Sequence, residues 1–381
     1  PDSMILYIRH FMLSGQQEKA WEQAKRLEEI DGEDFNSHYW YLRLALNMED
    51  EQIPPEMMEE ECIKLIESDQ EHPGYWQLLG DFFCAQKRLM EGLKALRHCY
   101  RLSHREWDSV QDKIVEIAGE LSQQMEKDGR NDFEFADICW TAHRYDKVRE
   151  VLGAIEPPEG KELGWLMMMA DSCYELEDYE AAWKYRKEIW DGCDEEGRVE
   201  ALYLDMARDC GLSGRVEEAL ELYCQTGERF GESAQLYYLQ AKLLSDNERA
   251  AEAMEMCEKA LKLEFHLEAF NLRTEILFDR NAYALIKEET GDLLAKGLKS
   301  AQVMFDYARA LRKLDELEEA EWVLKQLDEV TGGSDVVYQE LAGVYYDMDK
   351  PEEALVWIDR AIKARDILWR QCLRADCLRD L

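Results

Sequence analysis

The sequence is poor in the residues that usually separate domains. Its 381 residues hold 7 prolines and 21 glycines, and no stretch is rich in Pro, Gly and Ser. One continuous body is therefore expected, rather than domains joined by linkers. Basic residues are scarce as well: 46 Lys and Arg face 83 Asp and Glu, for a net charge of −37. A field of that sign opposes the approach of nucleic acid and anionic membrane, so neither is expected as a partner. No uninterrupted apolar run is long enough to span a bilayer, and no segment reads as a secretion signal. The eleven cysteines include no C-x-x-C pair, which argues against a disulfide framework and for a reducing, cytoplasmic setting. Catalytic signatures are missing too: there is no P-loop, no G-x-S-x-G and no H-E-x-x-H. His98 and His104 lie six residues apart, a spacing that puts two rings on different faces of one helix. No catalytic residue, cofactor or metal is expected, and the chain does not read as an enzyme.

What is present is periodicity. In the stretch 335–366, Tyr338, Leu341, Ala342 and Tyr345 fall at i, i+3, i+4 and i+7. After a break, Ala354, Ile358 and Ala361 do the same, with Pro351 at the start of the second run, where a missing N–H costs little. The same two-run unit appears at the beginning, as Tyr7, Ile8 and Phe11, then Ser14-Gly15, then Ala20, Ala24 and Leu27. A second unit, about 35–72, is looser: Tyr41, Leu44, Ala45 and Met48 form its first run, and Pro54-Pro55 open the second. The third is clear, with Trp76, Leu79, Gly80 and Phe83 followed by Leu89, Gly92, Leu96 and Cys99.

Trp, Leu-Gly, an aromatic and then a small residue nine positions later resemble the tetratricopeptide repeat. The resemblance covers nearly the whole chain through two ladders of small residues. One runs Ala20, Gly92, Ala182, Ala219, Ala253, Ala320 and Ala354, with later intervals of 37, 34, 67 (two repeats) and 34. The other runs Gly80, Ala136, Ala170, Ala207, Ala241, Ala308 and Ala342. The resemblance implies an all-α fold, an α-solenoid in which helical hairpins stack into a right-handed superhelix. Repeats 1–3 fall in 1–106, an extra amphipathic helix in 107–128, repeats 4–10 in 129–368, and a capping helix or the start of a further repeat in 369–381. In that last helix Trp369, Leu373 and Leu378 are expected to pack on Ile358 and Ile362. Some copies depart from the pattern, with Val148, Ile286 and Thr274 where small residues are expected, and Gly32, Gly160 and Gly332 as punctuation in place of proline. Cys139, Cys173 and Cys210 recur at one site of three successive repeats and read as core, and the Met167-Met168-Met169 run reads as crossing core and groove of one helix rather than as an adaptable binding surface.

In tetratricopeptide arrays the first helix of each repeat faces the concave groove. Carried onto this sequence, that geometry implies groove positions Phe133, Asp137 and Trp140, then Met167, Asp171 and Tyr174, then Arg208. Tyr238 and Lys242 follow, then Asn271 and Phe278, then Phe305, Arg309 and Arg312, and finally Gln339 and Tyr346. Phe133, Trp140, Tyr174, Arg208, Tyr238, Lys242, Phe278, Phe305, Arg309, Arg312 and Tyr346 form an aromatic and partly basic set inside an acidic protein. The expected partner is a protein or peptide bearing acidic or aromatic side chains, held by a scaffold with no chemistry of its own. The Lys/Asn clamp that some members of this family close on a peptide C-terminus is not present, since Asn271 lacks the partner residues. An alternative is the substrate-recruiting part of a larger enzyme or co-chaperone, such as a J-domain protein. The start at Pro1 and the stop inside a helical pattern at Leu381 fit a segment of something longer. The sequence leaves the oligomeric state open.

Overall fold

The computed structural model describes residues 2–48, 53–104, 107–194, 196–298 and 300–381. Among these residues there are twenty-two helices and no strand. Helix α1 (Asp2–Leu13) precedes α2 (Gln17–Asp31), α3 (Phe35–Ala45) precedes α4 (Pro55–Ser68), and α5 (Pro73–Ala85) precedes α6 (Leu89–Leu102). The twenty-residue α7 (Asp108–Lys127) stands alone. Hairpins resume with α8 (Phe133–Thr141) and α9 (Tyr145–Gly153), then α10 (Glu162–Glu175) and α11 (Tyr179–Gly192). The later hairpins are α12 (Glu200–Leu212) with α13 (Val216–Phe230), α14 (Ala234–Asp246) with α15 (Ala250–Leu263), and α16 (Leu267–Asp279) with α17 (Tyr283–Ala295). They end with α18 (Ala301–Lys313) and α19 (Leu317–Thr331), α20 (Asp335–Asp347) and α21 (Pro351–Ala364), and a final α22 (Leu368–Asp380). The protein is an all-α helical-repeat solenoid. Its helices fall into two compact units, Pro1–Glu195 and Glu196–Leu381. No described helix is long and apolar enough to cross a membrane.

Local chemistry sets the helix ends. Asp34, Asp132 and Ser233 accept the backbone N–H of Ser37, Phe135 and Leu236 at 2.9, 2.9 and 3.1 Å, satisfying donors that the first turn leaves orphaned. Pro55, Pro73 and Pro351 open helices where no N–H is needed. The turn inside a hairpin repeats one geometry. Gly15, Lys87, His143, Glu177, Gly214, Glu248, Asn281, Asp315 and Asp349 take φ between 56° and 83°. The next N–H then bonds back five residues, as from Arg88 to the Phe83 carbonyl at 2.9 Å and from Lys350 to Tyr345 at 3.0 Å. This is the Schellman closure, which needs a left-handed residue but not a particular side chain. Cys139, Cys173 and Cys210 supply the accepting carbonyl in three successive copies, and each side chain is buried. Of the three glycines read as punctuation, Gly332 is the left-handed cap of α19 and Gly160 also has positive φ, but Gly32 stays right-handed.

Small residues decide how closely two helices of a hairpin approach. Every member of both ladders is buried. At Gly80 an added Cβ would meet Leu96 Cγ at 2.6 Å and the Gly92 carbonyl at 3.3 Å; at Gly92 it would meet Cys84 Sγ at 2.6 Å and the Gly80 carbonyl at 3.2 Å. The two backbones therefore touch, which only glycine permits. Val148, Ile286 and Thr274 sit at the same sites and are also buried, so larger side chains are accommodated in those copies. The apolar core is a succession of local clusters, each spanning neighbouring helices, as a solenoid requires. Helix α7 buries Val110, Ile114, Ile117, Ala118 and Leu121 in one of them.

Two stripes differ from expectation. In α1 the buried residues are Ile5 and Ile8, while Tyr7 faces solvent. In α22 the buried stripe is Arg370, Leu373 and Cys377, and Trp369 and Leu378 point outward, about half exposed. Arg370 takes the buried place of the expected aromatic, and each of its three guanidinium nitrogens finds an acceptor. Its guanidinium reaches Asp335 Oδ2 at 2.8 Å, Gln339 Oε1 at 2.9 Å, and the Ala361 and Arg365 carbonyls at 3.0 and 2.7 Å. A buried charge is tolerated when it is paired and well hydrogen-bonded, and here it also caps the end of α21. Met48 lies just past α3, and the rest of that long turn, residues 49–52, is outside the described residues.

Candidate functional site

In the second unit the first helices of the hairpins stand side by side. Helix α14 packs on α16, α16 on α18, α18 on α20 and α20 on α22, while successive second helices have no comparable interface. The first helices therefore lie on the inside of the local curve. They carry Tyr238 and Lys242 on α14, Phe278 on α16, and Phe305 and Arg309 on α18. The Arg309 guanidinium lies 4.2 Å from the Phe278 ring centre and 5.8 Å from that of Phe305. It is 3.6 Å from Asp306 Oδ1, and about a third of it remains exposed. Asp306 is buried, accepts one bond from Gln302 Nε2 at 3.1 Å, and burial pushes its carboxyl above the ordinary range. Lys242 is exposed, and the Tyr238 ring lies 5.2 Å from that of His266.

Three other expected groove positions of this unit, Arg312, Tyr346 and Gln339, serve neighbouring helices. Arg312 lies on Gly343, whose added Cβ would come within 2.2 Å of its Nη1, and it bonds Glu340 at 3.1 Å and Asp347 at 2.6 Å. Those three residues form one face of α20, so Arg312 ties α18 to α20. Tyr346 donates to Asp380 at 2.7 Å and thereby holds α22, as Gln339 does through Arg370. Arg208, on α12, pairs with Asp205 at 2.7 Å and stays partly exposed. Asn271 is half-buried on α16.

In the first unit Trp140 is exposed on α8, and Phe133 is half-buried under Lys161, whose Nζ is 4.9 Å from the ring centre. Asp137 accepts from Arg97 of α6 at 2.7 Å. Asp171 accepts from the buried Arg186 at 3.0 Å, and the Tyr174 ring lies 5.8 Å from that guanidinium. Met167 is half exposed while Met168 and Met169 are buried.

A cavity of about 440 Å³, which periodicity does not single out, opens on the first helices of the first three hairpins. Arg9, Met12 and Leu13 of α1 line it, with Asn36, Tyr39, Trp40 and Arg43 of α3, and His72, Pro73, Gly74 and Trp107. Arg43 donates to the Tyr39 hydroxyl at 2.5 Å. The groove positions implied by the resemblance begin at Phe133, so none of them falls on this face. Two arginines beside Tyr39-Trp40 in so acidic a chain are the available signal. Among the described residues no group of three His, Cys, Asp or Glu has the arrangement of a metal site. His98 packs on Trp76 with ring centres 4.2 Å apart, and His104 takes a left-handed turn.

Residues 234–266, which are α14 and α15, match the tetratricopeptide-repeat family model. The hairpin α14–α15 is thus similar to a tetratricopeptide repeat. In the matched repeat Ala241 and Ala253 are the small pair, and Tyr238 and Lys242 stand on its first helix. The fold is similar to the C-terminal part of a tetratricopeptide-repeat-containing protein from Cytophaga hutchinsonii: TM-score 0.51 and 15% identity over 66% of this chain and 99% of that one. A tetratricopeptide-repeat protein from Parabacteroides merdae is 16% identical over 57% of this chain and 86% of its own, with a TM-score of 0.47. One from Thermus thermophilus is 18% identical over 47% and 99%, with a TM-score of 0.38. At such identities the likeness concerns the fold alone. No curated protein matches the sequence.

Proposed function

We propose that this tetratricopeptide-repeat chain is a non-catalytic scaffold that holds an extended segment of a partner protein against the first-helix faces of its hairpins. The observation that carries the reading is the Phe278–Arg309–Phe305 stack on adjacent first helices, partly open to solvent in a chain of net charge −37. Aromatic and arginine side chains supply most interface energy, about 2 kcal/mol or more for each good anchor. Lys242, exposed two hairpins earlier, adds charge of the same sign. The segment favoured by this face bears acidic and aromatic side chains. The buried thiols fit a reducing cytoplasm.

The test is selection of a displayed random-peptide library on the full chain, followed by affinity measurement on Lys242→Glu with Arg309→Glu. Selected peptides are expected to lose at least tenfold in affinity, about 1.4 kcal/mol. Unchanged binding to the double variant overturns the assignment. Arg312 is unsuited to this test, because its charge is already spent on Glu340 and Asp347 and its loss would disturb the stack.

A further inference from the structure

We infer that the cavity on α1, α3 and α5 is a second, separate binding site, which takes a carboxylate side chain of a partner peptide together with an adjacent large apolar side chain. The inference begins with charge. Arg88, Arg144, Arg249, Arg273, Arg312 and Arg370 each pair with a carboxylate. Arg9 and Arg43 do not: among the described residues their contacts are with aromatic rings and the Tyr39 hydroxyl. Both converge on one indole, with the Arg9 guanidinium 5.1 Å and that of Arg43 5.5 Å from the Trp40 ring centre. Two cations gathered on one ring repel each other, and the ring quadrupole offsets only part of that. In a chain with 83 acidic residues, leaving both without a carboxylate among the described residues reserves them for an anion from outside. Arginine is suited to this task because its planar fork binds a carboxylate through two hydrogen bonds.

The walls supply the second half of the ligand. Tyr39 and Trp40 form the floor and are each more than nine-tenths buried. The Trp40 indole N–H is enclosed and has no hydrogen-bond partner among the described residues, as is the case for Nδ1 of the lining His72. Trp107 and Leu13 add apolar surface at the rim. A volume of about 440 Å³ suits a side-chain pair and not a whole folded element. Gly74 keeps the space beside Tyr39 open, since an added Cβ would stand 2.9 Å from the Tyr39 hydroxyl. The chemistry selected is Asp or Glu next to Phe, Trp, Tyr, Leu or Met, read from a side-chain carboxylate and not from a chain terminus.

The experiment uses the full chain and an array of nonapeptides with acetylated and amidated ends. Each carries Asp or Glu beside one of those five residues within random polar flanks, and a matched set carries Asn or Gln instead. The acidic set is expected to bind at least tenfold more tightly, and to weaken as NaCl rises from 50 to 300 mM. Fluorescence anisotropy then compares Arg9→Gln alone, Arg9→Gln with Arg43→Gln, and a control of equal charge change, Arg280→Gln with Lys363→Gln. The double variant is expected to lose tenfold or more, Arg9→Gln part of that, and the control nothing. Arg9 is exposed on α1, so its single variant reports on binding even if loss of Arg43 disturbs α3. Equal binding of acidic and amide peptides, no binding to either set, or acidic binding that survives the double variant overturns the proposal. Peptides released only by Lys242→Glu with Arg309→Glu would remove this site and leave the scaffold reading of the second unit standing.

Discussion

At the scale of single residues, Glu248 shows how the hairpin turn is maintained. It is exposed and left-handed, with φ of 61°, and the turn is closed by the Arg249 N–H on the Leu244 carbonyl at 2.9 Å. Left-handed geometry costs an L-residue about 1–2 kcal/mol, and glycine loses about 0.5–1 kcal/mol of that advantage to chain entropy. Glu248→Gly should therefore stabilise the protein by about 0.5 kcal/mol, read as a higher urea midpoint. Asp306 makes the opposite kind of contribution. Burial raises its carboxyl above the unfolded value, so the folded state resists its ionisation. Below the ordinary Asp range it is protonated in both states and costs nothing. As pH rises through the folded value the penalty grows, and above it the penalty is fully present. Asp306→Asn, which keeps an acceptor for Gln302, should raise the melting temperature at pH 7 and leave it unchanged at pH 3.

At the scale of helices, contact between Gly80 and Gly92 defines how closely α5 and α6 lie. A Cβ at Gly92 would press on Cys84 Sγ and the Gly80 carbonyl, and the second of these cannot turn away. Gly92→Val should cost about 2–3 kcal/mol, measured by thermal or urea unfolding, with the loss concentrated in the first unit. This pair was legible in the sequence because small residues recurring at a fixed period mark where two helices touch. Arg370 was not. A helix whose buried stripe contains arginine reads as if that residue were on the surface, so periodicity puts Trp369 and Leu378 in its place. Its acceptors come from α20 and from the end of α21, up to 35 residues away. The site suffered in the same way. Periodicity located first-helix positions, but which cation was already spent depended on pairs such as Arg312 with Asp347, 35 residues apart. No spacing rule announces such pairs. Arg9 and Arg43 are informative for the reverse reason, an absence of acidic partners among the described residues that only the folded arrangement reveals.

At the scale of the whole molecule, charge of one sign dominates. A net −37 stores repulsion that many internal ion pairs relieve only locally. Raising NaCl from 10 to 150 mM shortens the screening length from about 30 to about 8 Å. The melting temperature should rise by several degrees across that range in differential scanning calorimetry. A fall would mean that the ion pairs between hairpins contribute more than the repulsion costs. The array fold itself was readable from one hairpin outward, because each copy repeats the same small-residue pair. Yet the family model reaches only residues 234–266, although other copies keep the same pair, as Ala308 with Ala320 and Ala342 with Ala354 do.

The left-handed turn residues have one more use. In the second unit they are Gly214, Glu248, Asn281, Asp315 and Asp349, all exposed, one per hairpin and 33 or 34 residues apart. Main-chain bonds close each of these turns, so the exposed side chains are replaceable at little cost, Asn281 excepted, whose Oδ1 accepts from the Tyr283 hydroxyl. Cysteines placed there and spin-labelled in pairs would act as the marks of a ruler laid along the stack. The gap between successive marks would report the pitch of the unit directly, and a guest seated among the hairpins would be read as a change in that gap.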